Sequence, residues 1–486
     1  MINFYKKNNK GIILSSVFVF AIIATTLIIA LTSWFGVTVK SIRTLVEKEQ
    51  TFHIAEAGVE YYRWHLSHNP EDLQDGTGSP GPYVHDFYDR EGNLIGNFSL
   101  EIEYDAGIVI VESTGNVISN PELSRTIRVR FSRPSVIEYA FLSDSDTTFR
   151  NNTEVFGKVH SNGGIRFDGY AHNLFSSAKA QYDDPTHTGP QEFGVHTHLD
   201  PIDPLPPNDV PERLDVFSAG REFPVETVDF QGIVADLAQI QEDTQGGEGM
   251  YFPHSGDLGY VVVLKIDDTF DLYKVKQLEN SPGSCVNKID QEDWGTWSYK
   301  DNDLGQGANF VDNYPIPDGE TLFFEDHVWV QGQIDGMNIT IAAASFPDIP
   351  SDRKNIIINN NLLYSNYDGT DTIALLAQNN INIGLLSENE LRIDGALIAQ
   401  NGRVGRYYYN KPGGGQACAT EKERDNLTLY GTVISKEQFG FSYSDGTGYN
   451  FKEINYDPNL SFNLPPSIPL TSGQYEPISW EEITNK

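Results

Sequence analysis

Histidines, clustered carboxylates, arginines and two cysteines are the residues of this 486-residue chain that could do chemistry. His196-Thr197-His198, with Asp200 and Asp203 nearby, could chelate a metal if its loop folded back. That pair lies in a Pro-rich stretch, and neither HExxH nor paired CxxC accompanies it, so a solvated loop and no metal centre are expected. Asp301-Asn302-Asp303-Leu304-Gly305 alternates oxygen donors as calcium loops do, without the bidentate Glu they need downstream. Asp144 and Asp146, and Asp368 and Asp371, are shorter acidic turns of the same kind. No cofactor is expected; calcium is the one ion these turns leave open. Arg392, Asp394 and Arg403 have the carboxylate-plus-cation makeup of a glycan-cleaving site, yet nothing separates them from ordinary surface charge. No Gly-rich phosphate loop or Ser nucleophile elbow occurs. The chain is therefore expected not to be an enzyme, and a membrane-tethered carbohydrate-active β-helix enzyme is the alternative. Cys285 and Cys418 sit in Gly-containing stretches, SPGSC and GGGQAC, and are either one long-range bridge in an oxidising compartment or two unpaired thiols.

Charge narrows the field. There are 34 basic and 68 acidic residues, a formal net charge of −34 and a pI near 4.5. Such a chain has no basic footprint for nucleic acid. Turn formers combined with β-branched and aromatic residues point to many short strands.

The elements that would carry these residues begin with residues 11–36, GIILSSVFVFAIIATTLIIALTSWFG. No charge occurs between Lys10 and Lys40, a run longer than the roughly 20 apolar residues a bilayer span requires. It is also longer than a signal-peptide core, and no A-x-A site follows. Lys6, Lys7 and Lys10 precede the span, and Lys40, Arg43 and Lys48 follow it. The first group, closer and unopposed by acids, favours an inside N-terminus. The helix continues to about residue 67. Ile42, Leu45, Val46, Phe52, Ala55, Val59, Tyr62 and Leu66 recur mostly three and four apart, which makes one apolar face.

A basic leader ending in Lys-Gly, an apolar helix and an amphipathic continuation carrying AEAGVEYYRW together resemble the N-terminus of type IV pilin-like proteins, and PilX-type minor pilins above all. The resemblance covers roughly residues 6–66. It implies cleavage after Gly11, with Ile12 as the new N-terminus, and packing of the helix with other pilin-like subunits. Major pilins carry a glutamate at the fifth mature position; Ser16 stands there, which fits a minor or tip subunit.

Beyond a loop at 67–82, the alternations Phe98/Leu100/Ile102 and Ile127/Val129/Phe131 predict a small antiparallel sheet covering the helix. After Pro134 the signal is repetition. Ala374-Leu375-Leu376-Ala377-Gln378-Asn379-Asn380-Ile381 matches Ala396-Leu397-Ile398-Ala399-Gln400-Asn401-Gly402-Arg403-Val404 at an offset of 22 residues. Gly157–Ile165 and Gly431–Ser435 follow the same pattern more loosely. Stacked coils of this length would bury a continuous core, with Asn162, Asn379 and Asn401 at the corners, tolerating left-handed backbone or hydrogen-bonding up the stack. An ordinary β-sandwich is the alternative. Phe230, Ile233, Val234, Leu237 and Ile240 predict an amphipathic helix, and GYVVVLKID and TFDLYKVKQ a hairpin.

The expected fold is mostly β. It comprises a leader and transmembrane helix (1–67), a small antiparallel pilin-like sheet (68–136) and a first segment of right-handed parallel β-helix or solenoid (137–184). An α+β insertion at the solenoid's side (185–315), the main solenoid (316–465) and an extended C-terminal arm docked by Trp480 (466–486) complete it. The function expected is that of a single-pass cell-membrane protein with its bulk outside, a minor pilus or assembly component whose acidic surface meets glycans or a host surface.

Overall fold

The structure, a computed structural model, describes residues 10–483 except 106–107, 134, 152, 186–188, 283–284, 288–295, 301–308, 317–319, 411–417, 419, 444 and 469–473. The chain divides into two units, Met1–Phe131 with Gln474–Lys486, and Ser132–Gly473.

The first unit is built on helix α1, Lys10–His68, 59 residues and about 90 Å long at 1.5 Å per residue. From Leu14 to Val46 its large apolar side chains are exposed, and this stretch is long and apolar enough to cross a membrane. From Glu47 onward one face is buried: Thr51, Ile54, Ala55, Val59, Tyr62 and Leu66. Ile42, Leu45 and Val46, expected on the packed face, are instead exposed, because the sheet beneath begins to cover the helix only at Glu47. That carboxylate accepts from Ser119 Oγ and Asn120 Nδ2, both at 3.1 Å.

The sheet holds Tyr83–Tyr88, Leu94–Asp105, Ile108–Val117, Asn120–Ser132 and Glu476–Ile483 in that order. Phe98 pairs with Gly115, Leu100 with Ser113 and Ile102 with Val111, antiparallel. Alternation puts Phe98, Leu100, Ile127, Val129 and Phe131 in the core under α1. The AEAG stretch earns its small residues here. A Cβ on Gly58 would meet Ser113 Oγ and stand 2.8 Å from Phe98, and one on Gly115 would meet the helix backbone at Thr51 and Ala55. The C-terminal segment, expected as an extended arm, is a fifth strand. Arg125 grips Glu482 through two bonds of 2.6 Å, and Arg128 and Arg130 reach Glu481. Trp480 remains half exposed, its ring edge-on to Phe52 at 5.7 Å.

In the second unit parallel pairing dominates one 21-stranded sheet. Glu320–Phe324, Asn338–Ala343, Thr372–Ala377, Glu390–Ala399, Glu423–Ser435, Phe141–Ser143, Val159–Ser161 and Phe175–Ser177 pair each with the next, in parallel. Leu322, Ile341, Leu375, Leu397, Val433, Phe141 and Val159 form one register column, all buried. Leu375, Leu397, Val433 and Val159 come from the four repeat copies, and Ala374 opposes Ala396 at the 22-residue offset. The alternate side chains of these strands (Phe323, Ala342, Leu376, Ile398, Ile434, Leu142) face a second core. Helix α2, Phe230–Gly246, covers it with Phe230, Leu237 and Ile240. Burial on both faces is why these strands read as continuous apolar runs.

Two features depart from expectation. Segment 141–177, first in sequence, follows Glu423–Ser435 in the pairing order. Segment 185–315 does not pack outside the stack; it supplies strands to it. Arg221–Glu222 pairs with Phe175–Ser177, Met250–Phe252 with Glu320–Phe324, and Tyr260–Lys265 with Val328–Ile334, all parallel. The expected hairpin is present, Tyr260–Lys265 against Thr269–Lys274, but its first strand is shared with the stack. Strand Tyr260–Lys265 is apolar nearly throughout because both its faces are covered: Tyr260, Val262 and Leu264 enter one core, and Val261 and Val263 another.

Two predictions follow from this packing. Gly58→Leu should destabilise the first unit by about 3 kcal/mol through overpacking, seen as faster amide exchange in residues 94–117, whereas exposed Glu56→Ala should leave it unchanged. The second concerns His327, whose Nδ1 accepts from Asn355 N at 3.0 Å. Burial, and then Lys354, hold its pKa at about 4, against the partial pull of Asp326 and Asp352. The unfolded chain takes up this proton near pH 6.5 and the folded one only near 4. Stability is therefore lost as pH falls through that window, by about 3 kcal/mol. The difference in unfolding free energy between wild type and His327→Gln should narrow by that amount from pH 7 to pH 4; a constant difference would refute the assignment.

Candidate functional site

His196 ends the short strand Val195–His196, paired in parallel with Ile165–Phe167. Its side chain is fully buried, and among the described residues neither ring nitrogen makes a hydrogen bond. Nε2 lies 3.5 Å from Asp184 Oδ2, a carboxylate with no exposed side-chain surface. His198 Nε2 lies 3.5 Å from Glu192 Oε1, also buried. Glu192 opposes Tyr182 in a small antiparallel pairing, which brings 182–184 and 192–198 together. Arg166 reaches Asp168 Oδ2 at 2.7 Å and Asp184 Oδ2 at 3.6 Å. The histidines are thus in a built, buried pocket and not a solvated loop. Asp203, one of the acids expected beside them, instead accepts from Thr197 N and is gripped by Arg213 and Arg221. Burial, followed by Arg166 and His196, lowers the pKa of His198. Such a group of imidazoles and carboxylates can hold a metal ion.

Arg392 and Asp394 meet, Nε to Oδ1 at 2.9 Å, but Asp394 is buried, accepting also from Tyr364 N and Tyr367 Oη. Its lone pairs are committed to the fold. Arg403 lies elsewhere, over the Tyr407 ring in a hollow of about 260 Å³ that Arg150 and Lys452 also line. Burial and then Arg150 lower the pKa of Lys452. The hollow gathers three cations of a strongly acidic chain, and spacing alone gave no sign of it.

The acidic turns are occupied by backbone. Asp146 accepts from Gly164 N at 2.7 Å, and Asp368 from Thr370 N at 3.1 Å. Asp371 accepts from Gly336, Met337, Ser365 and Asn366 N. Asp144 accepts from Asn162 Nδ2. Asp301, Asn302 and Asp303 lie outside the described residues. Gly11 and Ile12 fall in the first turn of α1, where only the backbone is described.

At the corners, asparagines bond to backbone more than to one another. Asn380 N donates to Asn355 Oδ1, and Arg403 N donates to Asn380 Oδ1, both at 2.9 Å. Asn380, not Asn379, carries this ladder; Asn379 contributes its backbone N–H to Lys354 O. Asn401 donates to Gln378 O, and Asn162 accepts from Val228 N. The copies are close enough in sequence that the ladder residue cannot be told from its neighbour without the register.

Cys285 and Cys418 are joined by a disulfide across 133 residues, with Cα atoms 5.1 Å apart. They are buried among Trp297, Trp329, Tyr407 and Tyr409. Nearby Arg406 is wholly buried and spends its guanidinium on Leu385 and Glu421 carbonyls and Ser387 Oγ.

No family model matches this sequence, and no curated protein matches it. Among solved structures, the competence-associated pilin ComZ from Thermus thermophilus is similar, with 14% identity, 90% of this chain and 98% of that chain covered, and a TM-score of 0.33. A likeness this distant decides nothing about this chain.

Removing the bridge should be costly. Cys285→Ser with Cys418→Ser frees a loop of 133 residues in the unfolded chain, and chemical unfolding should show a loss of about 4–5 kcal/mol. Reduction of the wild-type protein should reproduce the loss.

Proposed function

We propose that this chain is a membrane-anchored, pilin-like minor subunit that displays its large parallel-strand body outside the membrane. The observation that carries the reading is the division of α1. An apolar, exposed stretch from Leu14 to Val46 is followed by a stretch whose inner face is buried under an antiparallel sheet. A helix apolar all round suits lipid or neighbouring helices, and one with a single buried face suits a headpiece. Ile42, Leu45 and Val46, just beyond the sheet, extend the surface on which other pilin-like helices would pack. Processing after Gly11 would leave Ile12 first, with Ser16 at the fifth position as befits a minor subunit.

In this reading the parallel strands are successive coils of a β-solenoid, supported by the in-register columns and the 22-residue repeat. The disulfide supports an oxidising, extracytoplasmic setting for it. Its acidic surface would serve adhesion to glycans or a host surface, or assembly. No catalysis is assigned: Asp394, the carboxylate best placed for glycan cleavage, already accepts from Arg392, Tyr364 and Tyr367.

N-terminal sequencing of protein from native envelopes and from sheared surface filaments tests the reading. A start at Ile12, with the protein in the sheared fraction, is expected. An intact Met1 and absence from filaments would leave an anchored protein and remove the pilus role.

A further inference from the structure

The buried pocket around His196 has a polar deficit that a bound cation would fill. Among the described residues the fully buried His196 imidazole makes no hydrogen bond at either nitrogen, and a buried polar group normally finds a partner. His196, His198 and Asp184 present one ligand atom each, all within 4.8 Å of one another. We propose that Asp184, His196 and His198 bind a zinc-class divalent ion, with Glu192 closing the shell.

Spacing supports this. Ligands about 2.0–2.1 Å from a tetrahedral ion stand about 3.4 Å from each other. Asp184 and His196 are already at 3.5 Å, as are His198 and Glu192. Bringing these two pairs onto one ion needs the ligand atoms, now within 4.8 Å of one another for Asp184, His196 and His198, to draw closer on the His198 side, where the side chain keeps some solvent access. That access is also an entry path.

Charge supports it as well. Asp168, Asp184 and Glu192 bring three carboxylates around the histidines, and Arg166 reaches two of them. Arg166 approaches the same Asp184 oxygen at 3.6 Å, and its shorter contact of 2.7 Å goes to Asp168.

The backbone is set in advance. His198 N donates to Asp168 Oδ1 at 2.8 Å and Thr197 N to Asp203 Oδ2 at 3.1 Å, with Asp203 held by Arg213 and Arg221. Partners behind the ligands fix them as outer-shell groups do in known metal sites. Two imidazoles with carboxylates select borderline metals such as Zn²⁺ or Co²⁺ over Ca²⁺, which takes six to eight oxygens. Four protein ligands make a closed shell, so the ion is structural and ties residues 182–184 to the strand at 195–196.

The test uses the full chain in detergent, stripped with chelator and titrated with Zn²⁺ alone, then Co²⁺ alone. Expected are one equivalent of tightly bound Zn²⁺, a rise in unfolding temperature on its addition, and the intense visible absorption of tetrahedral Co²⁺. Asp184→Asn and His198→Gln, the latter at a partly exposed position, should each weaken binding at least 100-fold. Equal binding by both variants would place the metal elsewhere and overturn the proposal. So would absence of stoichiometric Zn²⁺ and of the Co²⁺ spectrum in the wild type, a result that stands even if the variants fail to fold.

Discussion

A strand of four apolar residues, such as Ala374–Ala377, has two faces to bury and too little surface to bury them alone. Parallel neighbours in register meet that need. Leu375 stands between Ile341 and Leu397, and the column continues through Val433 and Phe141. Fully burying a side chain of this size contributes about 1.5–3 kcal/mol, and each member depends on both neighbours for its burial. The outer row depends on α2 in the same way, through Phe230, Leu237 and Ile240. Side-chain contacts at the edges of these strands follow from this register. The corner amides reach the next backbone, Arg221 reaches Asp203, and the histidines meet their carboxylates, only because the strands beneath them are aligned.

The first unit solves the same problem differently. One helix supplies the apolar face and four strands close on it, so the limiting contact is the approach of two backbones. Small residues set that distance: Ala55 and Gly58 on the helix, Gly115 on the sheet. The fifth strand has few apolar contacts and is held by charge. Arg128 and Arg130 alternate with Ile127, Val129 and Phe131 on one strand, Arg125 precedes them, and Glu481 and Glu482 answer the arginines from the other. These are partly exposed pairs, each worth little alone, but the doubly bonded Arg125–Glu482 pair also fixes orientation.

What the sequence made legible tracks how local each signal was. The apolar run of α1, the alternation in its sheet, and α2 are patterns within one element, and they appear where they were expected. The repeat at 22 residues was legible because two copies are nearly identical, and it is the register the strands adopt. The order of the stack was not legible, because the segment at 141–177 pairs with strands nearly 300 residues away, and no spacing encodes that. The same limit explains the histidine pocket. In sequence the acids nearest His196 and His198 are Asp200 and Asp203. The partners, Asp184 and Glu192, arrive through a pairing of Tyr182 with Glu192 that leaves no local mark. The C-terminal strand leaves no local mark because its partners, Arg125 to Arg130, lie some 350 residues upstream.

The chain's acidity is partly architecture. A stack of short strands turns often, and each turn leaves backbone N–H groups with no ladder partner. Carboxylates and amide oxygens only accept, so they serve such groups well. Asp371 takes four backbone N–H groups, Asp326 takes those of Ser255 and His327, and Asp146, Asp168 and Asp203 each take at least one. Asn355, Asn359 and Asn380 do the same with neutral oxygens. From sequence this pattern of Asp and Asn at turns is indistinguishable from calcium loops, since both place oxygens at tight corners. The difference lies in what the oxygens face. At Asp371 and Asp146 they face N–H groups and are satisfied. At Asp184 and Glu192 they face the imidazoles of His196 and His198.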